Sequence, residues 1–284
     1  MVKFCFCKAE DGIRVLVRSR GLGDVYKRQD FGSAYLEIYS EHLYEKNKIA
    51  AETDFIIKTL KLNKTTRLLD IACGFGKHLL FFFKRAVPAF GLDINRSYLQ
   101  FAMRKFPASH AKKSPLVQGT MTRLPFQDGA FDAAISLFNS FGYYPLDCPD
   151  ADLTTLKEVS RALKSGGRFF LEIPNKQPVV RMACENPQTL QCGLEFAIHE
   201  IWEYDKTQNL LHNKTTFNVR GKTTQAGYCL RLYTKGELAA LFKKAGLSVV
   251  GVYGDYNGAP YSRSASPYLI LIGKKETSRW KKKT

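Results

Sequence analysis

Two glycines and two acids are the residues of this chain best placed to do chemistry. In Leu68-Leu69-Asp70-Ile71-Ala72-Cys73-Gly74-Phe75-Gly76-Lys77-His78, a short apolar run gives way to a glycine-bearing bend and then to the start of a helix. With no side chain at Gly74 or Gly76, the backbone can turn sharply and a ligand can come close to it. The N–H groups opening the following helix favour an anionic group. Nineteen residues past Gly74, the run Ala89-Phe90-Gly91-Leu92 ends in Asp93. A carboxylate at that spacing can accept both hydroxyls of a ribose. Together the two features point to a nucleoside-bearing cofactor. An ordinary strand–turn–helix corner would account for the glycines but not for Asp70 and Asp93.

The choice of cofactor follows from what is absent. A dinucleotide fingerprint needs G-x-G-x-x-G/A, and Leu79 stands at its third small position; the G-K-[ST] of a phosphate-binding loop is missing as well. An acid ahead of x-A-C-G-x-G resembles motif I of the class I S-adenosylmethionine-dependent methyltransferases, with Ala72 where that family usually has glycine. The resemblance runs from about residue 32 to 274. It is carried further by Leu124-Pro125-Phe126 ahead of Phe131-Asp132, and by Leu163-Lys164-x-Gly166-Gly167-x-x-x-x-Glu172. It implies that Asp70, Ala72, Gly74 and Gly76 hold the methionine end of S-adenosyl-L-methionine and that Asp93 holds the ribose. Ile94 and Met121 would flank the adenine, with Leu137 completing the cofactor set. In the family the third strand commonly ends in Gly-Asp, the acid facing the adenine amino group. Here Thr120 follows Gly119, and a hydroxyl accepts more weakly than a carboxylate.

These residues need a scaffold, and the pattern supplies one. Strands are expected at Arg67 to Ile71, Ala89 to Asp93, Leu116-Val117, Ala133 to Phe138 and Phe169 to Ile173. Helices fall between them, at Lys77 to Lys84, Arg96 to Lys105 and Leu153 to Leu163, the last closed by Gly166 as a left-handed cap. Such alternation argues for a doubly wound α/β sheet. The resemblance implies a Rossmann-like sheet of seven strands. It ends with helix Thr234 to Ala245, strand Ser248 to Tyr253 and a last strand, Pro267 to Gly273, antiparallel between the fifth and sixth. An antiparallel insertion over 176–230, with strands at Glu195 to Tyr204, Leu210 to Val219 and near Tyr228 to Tyr233, is expected to cover the site.

Candidates for the acceptor side sit where open α/β sheets bind ligand, beyond the carboxyl ends of the strands. Asn139 and Tyr143, in Asn139-Ser140-Phe141-Gly142-Tyr143, come first. Tyr35 and Tyr39 lie on a helical stretch from Gly32 to about Leu60 that would act as a lid; packing on the sheet is the plainer account of such a stripe. The insertion offers His199, Glu200, Trp202, Tyr204 and Arg231. The resemblance implies methyl transfer from a sulfonium to a small-molecule acceptor. No His-Asp or lysine-based constellation stands at a diagnostic spacing, which favours an amine, or an acceptor that is already ionised, and puts nitrogen ahead of oxygen as the acceptor atom. An RNA or protein methyltransferase, a catalytically silent S-adenosylmethionine-binding protein and a dehydrogenase on the same sheet are the alternatives. No ligand cluster suggests a metal.

The chain of 284 residues carries a formal charge of +17. Residues 1–29 contribute +4 and 274–284 contribute +5, leaving +8 for the body, so nucleic acid is a possible but not a favoured partner. Lys8 to Gln29 resembles a translated sequencing-adaptor read-through without selected structure; a hairpin from Ile13 to Tyr26 about a glycine turn is the alternative. The expected organisation is therefore a non-native segment 1–29, a methyltransferase domain 30–274 and a basic tail 275–284. Seven irregularly spaced cysteines, no apolar run of membrane-spanning length and no secretory leader favour the cytoplasm. Oligomeric state has no signature in the sequence.

Overall fold

A computed structural model describes residues 3–9, 12–18, 33–42, 45–106, 115–138, 140–143, 150–193 and 195–277. Near the N-terminus β1 (Lys3–Ala9) pairs antiparallel with β2 (Gly12–Arg18) as a separate ribbon; Gly21 and Val25-Tyr26 of the alternative hairpin lie outside the described residues. The expected helical stretch from Gly32 to Leu60 is divided. A short α1 (Ser33–Glu37) runs into a five-residue π turn at Ile38–His42, and α2 spans Lys46–Leu60.

The alternation then follows the sequence closely: β3 (Leu68–Ile71), α3 (Lys77–Lys84), β4 (Ala89–Asp93), α4 (Arg96–Lys105), β5 (Leu116–Gln118) and β6 (Phe131–Ser136). After them come α5 (Ala151–Ala162) and β7 (Leu163–Pro174). The chain returns to this sheet through α7 (Lys235–Lys244), β12 (Leu247–Tyr253) and β13 (Tyr268–Lys275). The seven strands lie in the order β12-β13-β7-β6-β3-β4-β5; β13 is antiparallel to both neighbours and every other pairing is parallel. This is the doubly wound sheet with an inserted antiparallel strand that the sequence led us to expect.

Burial explains why the central strands read as unbroken apolar runs. Leu69, Ile71, Phe169 and Leu171 join one core with Leu156 of α5 and Phe242 of α7, while Leu68, Ile135 and Phe170 join another with Ile56 of α2 and Phe82 of α3. Successive residues feed opposite faces and helices cover both. Gly166 is left-handed, with φ +76°, but it does not cap α5. The helix ends at Ala162 with an extended Leu163 as its cap, and Gly166 turns the chain within the following strand segment.

The insertion keeps its expected span but holds a helix and a further strand besides those expected. Helix α6 (Lys176–Glu185) precedes a four-stranded meander of β8 (Gln188–Cys192), β9 (Phe196–Asp205), β10 (Leu210–Val219) and β11 (Lys222–Arg231). Ala34 and Ile38, with Tyr35 and Tyr39 packed alongside, meet Ile198, Phe217, Val219 and Ala226 on one face of that meander. The N-terminal helix and the insertion thus form one cover. Among the described residues, no helix is long and apolar enough to cross a membrane.

Candidate active site

The glycine bend and the second acid meet directly. Asp93 accepts a hydrogen bond from the Gly74 backbone N–H on Oδ2 at 2.8 Å and from the Asn95 N–H on Oδ1 at 2.7 Å. Asn95 in turn caps α4, its Oδ1 accepting from the N–H groups of Ser97 and Tyr98. The carboxyl ends of β3 and β4 are thereby locked in one arrangement. Gly74 lies at φ +56°, and nothing stands within 4 Å of where a Cβ would project. Ala72 adopts φ +59° as well. A left-handed alanine is strained, so the bend asks for glycine at the position where the family usually has it.

A cavity of about 480 Å³ opens beside these residues. Of the expected cofactor residues, Asp70, Ala72, Gly74, Asp93, Ile94, Met121 and Leu137 line it. Gly76 and Thr120 do not: Gly76 caps α3 at φ +73°, and the Thr120 hydroxyl lies 3.0 Å from that of Thr122. Of the acceptor candidates, Tyr35, Tyr39 and Tyr143 line the cavity, whereas Asn139 lies outside the described residues. His199 is not on its wall; the ring sits 3.3 Å from the Gln188 Oε1. Alternation along β9 accounts for this. Glu200 shares a face with Ile198, which packs on α1, and His199 points the other way. Glu200 and Tyr39 interact electrostatically; burial first, and that neighbouring carboxylate second, push Tyr39 up to about 12.

Aromatic rings dominate the mouth. Tyr35 stacks on Tyr39 with ring centres 4.3 Å apart and reaches Tyr98 at 6.0 Å, and Tyr143 lies 5.2 Å from Tyr228.

The deep wall carries groups that sequence reasoning missed. Glu52 of α2 and His78 of α3 are both buried and joined at 2.9 Å through Nε2. Burial pushes the His78 pKa below its ordinary value, against the opposing hydrogen bond to Glu52. The Lys77 ammonium sits 3.0 Å from the centre of the Phe138 ring, and burial lowers its pKa to about 8. Phe138 is itself left-handed, at φ +54°, and its N–H donates to buried Glu172, which also accepts from the Tyr256 hydroxyl. A bulky side chain at positive φ is a strained feature of the kind found at ligand clamps. Asp70 is pushed up to about 8, by burial first and then by the Asp93 charge, with Lys77 opposing. Four carboxylates on the cavity wall, Glu45, Glu52, Asp70 and Asp93, outnumber its two lysines, Lys48 and Lys77, and that excess suits a ligand bearing a sulfonium and an ammonium, as S-adenosyl-L-methionine does. Among the described residues, no cluster of His, Cys, Asp or Glu could hold a metal ion.

Known proteins agree. The sequence profile of a family described as a methyltransferase domain matches residues 68–167. The demethylmenaquinone methyltransferase of Lactococcus lactis subsp. lactis (strain IL1403) is 35% identical over 104 residues, 36% of this chain and 39% of that enzyme. The enzyme of the same name from Staphylococcus aureus (strain JH9) is 28% identical over 230 residues, covering 79% of this chain and 84% of its own length. Among solved structures, an S-adenosylmethionine-dependent methyltransferase from Clostridium acetobutylicum ATCC 824 superposes with a TM-score of 0.72 at 20% identity, over 85% of this chain and 98% of that one. The sheet order, the joined bend and acid and these matches agree: the chain has the class I S-adenosylmethionine-dependent methyltransferase fold, with a methyltransferase domain matched over residues 68–167.

Proposed function

We propose that the enzyme methylates a small-molecule amine. The observation that carries this reading is the cover: α1 packs on the insertion sheet and roofs the cavity with Tyr35 and Tyr39. A roofed pocket of about 480 Å³ suits a compact acceptor, not a polymer laid in a groove.

When bound, S-adenosyl-L-methionine supplies an electrophilic methyl group on a sulfonium. Asp93 holds the ribose hydroxyls; Gly74 lets the backbone come close; Asp70, once ionised, balances the cation. The tyrosines exclude water and fix the acceptor in line. An amine brings its own lone pair. The product keeps its proton as an ammonium, so the step needs no strong base; the His78 imidazole on the cavity wall is kept neutral by burial and oriented by the Glu52 carboxylate. A neutral imidazole of lowered basicity is a poor base for an alcohol, which favours nitrogen over oxygen. The names of the curated relatives support a second reading, a planar quinone-type ring held against the tyrosine wall.

The test is incubation with S-adenosyl-L-methionine and parallel panels of amines, phenols, quinols and cellular RNA, read by mass spectrometry for the gain of one methyl group. Methylated amines are expected. Transfer to RNA alone, or to hydroxyls alone, overturns the reading.

A further inference from the structure

A second cavity, of about 720 Å³, lies on the other half of the sheet. Its wall carries four cations from three segments: Lys176 and Arg181 of α6, Lys235 of α7, and Arg263 in the β12–β13 connection. Among the described residues, no Asp or Glu lines it. None of the four cations takes part in an ion pair among the described residues, whose salt bridges all lie elsewhere. Arg181 makes only a long contact, Nη2 to the Ser264 carbonyl at 3.5 Å. Glu237 interacts with Lys176 but is held by the Thr234 N–H and hydroxyl at 2.8 and 2.7 Å. Four like charges around one hollow repel one another, and an anion relieves that repulsion.

The floor reinforces the field. Asn175 stands at the cap position of α6, yet its side chain does not cap the helix. Instead Nδ2 donates to the carbonyls of Ser262 and Ser266, and Oδ1 accepts from the Tyr261 hydroxyl. The first-turn N–H groups of α6 are therefore left without a side-chain acceptor at the edge of a basic hollow.

Topology brings this hollow near the active site. β7 is parallel to β6, and β6 to β3, so Pro174 and the start of α6 share the carboxyl edge with Ile71. β7 lies two strands from β3, about 10 Å along the sheet. Tyr143 of the first cavity and Val180 and Tyr204 of the second all pack on the cluster Ala183, Leu211, Leu230 and Leu232.

We propose that this second cavity binds a phosphoryl or pyrophosphoryl group. The group belongs either to a tail of the methyl acceptor or to a separate effector. The proposal stands independently of whether nitrogen is the acceptor atom.

Inorganic pyrophosphate is the probe, titrated calorimetrically into the full chain. Wild type is expected to bind it, Arg181→Glu/Arg263→Glu to bind at least about tenfold more weakly, and Arg181→Lys/Arg263→Lys to stay within about threefold, since charge-assisted bonds are lost only in the first. Because the whole chain is basic, Lys243→Glu/Lys244→Glu, at the far end of α7, makes the same charge change as a control and should leave binding intact. S-adenosyl-L-methionine binding, unchanged in all three variants, reports that each is folded. No binding to wild type, or equal weakening by the control pair, overturns the proposal. Phosphatase treatment of a metabolite extract separates the two sources. Loss of its methyl-accepting capacity assigns the group to the acceptor, and retained capacity assigns it to an effector.

Discussion

The cofactor wall and its cover are built by opposite means. At the ends of β3 and β4 the decisive contacts run from one carboxylate to backbone N–H groups, Asp93 to Gly74 and Asn95, and strand pairing fixes the spacing. On the cover, α1 and the meander meet through side chains alone: Ala34 and Ile38 against Ile198, Phe217 and Val219, with tyrosines along the cavity. Backbone contacts tolerate few residue types, whereas side-chain contacts accept many of similar volume. One half therefore conserves a ligand and the other can change one. Substitutions that break the wall's hydrogen bonds should move cofactor affinity, and substitutions on the cover should move acceptor affinity.

The largest expected effect is at Asp93. Replacing it with alanine strands the backbone N–H groups of Gly74 and Asn95 and, on the proposed reading, removes the ribose acceptor. S-adenosyl-L-methionine binding should weaken by about 2–3 kcal/mol, roughly 30- to 150-fold, in calorimetry. A loss below threefold would mean that the bend and the acid do not act together. Next comes pH. Asp70 titrates in the free enzyme at about 8, and a bound cation favours its ionised form, so binding releases a proton and affinity rises with pH. About a tenfold gain is expected between pH 7 and pH 9, levelling above that, as the ionised fraction climbs. Asp70→Asn should bind weakly at every pH with a flat profile; an unchanged slope would assign the proton elsewhere. Where the segment after β6 meets the cover, through the rings of Tyr143 and Tyr228, Tyr143→Ala should raise the acceptor KM about three- to tenfold while cofactor affinity stays within twofold. A cofactor effect as large as the acceptor effect would erase the distinction between the halves.

The same contrast decides what could be read in the sequence. Asp70, Gly74 and Asp93 were legible because a strand, a bend and a strand at fixed spacing leave little freedom in where they meet. Glu52 and His78 were not, since their contact depends on how α2 packs against α3, which no spacing records. On β9 the strand was legible but its orientation was not: His199 and Glu200 are adjacent, and which one faces the tyrosines is a matter of register. Helix α6 was not expected; its Pro178 sits in the first turn, where the missing N–H costs nothing. Thr120 kept its place after the third strand, but its hydroxyl turns to Thr122 and not to the cavity.

The smallest effect is the sharpest test of the wall's backbone logic. Ala72 lines the cavity at φ +59° and packs, half-buried, against the core that holds Leu69 and Ile71. Ala72→Gly relieves about 1–2 kcal/mol of left-handed strain. It gives back about 0.5–1 kcal/mol in the freedom of the unfolded chain, and some burial of a half-exposed methyl. A net gain of about half a kcal/mol is expected, visible as a raised urea midpoint at constant slope. Cofactor affinity should not move, because the bend is already held by Asp93. Destabilisation by more than about 1 kcal/mol would show that the methyl's packing outweighs the strain. The alanine would then be a fitted part of the wall, and the wall, like the cover, would rest on side chains.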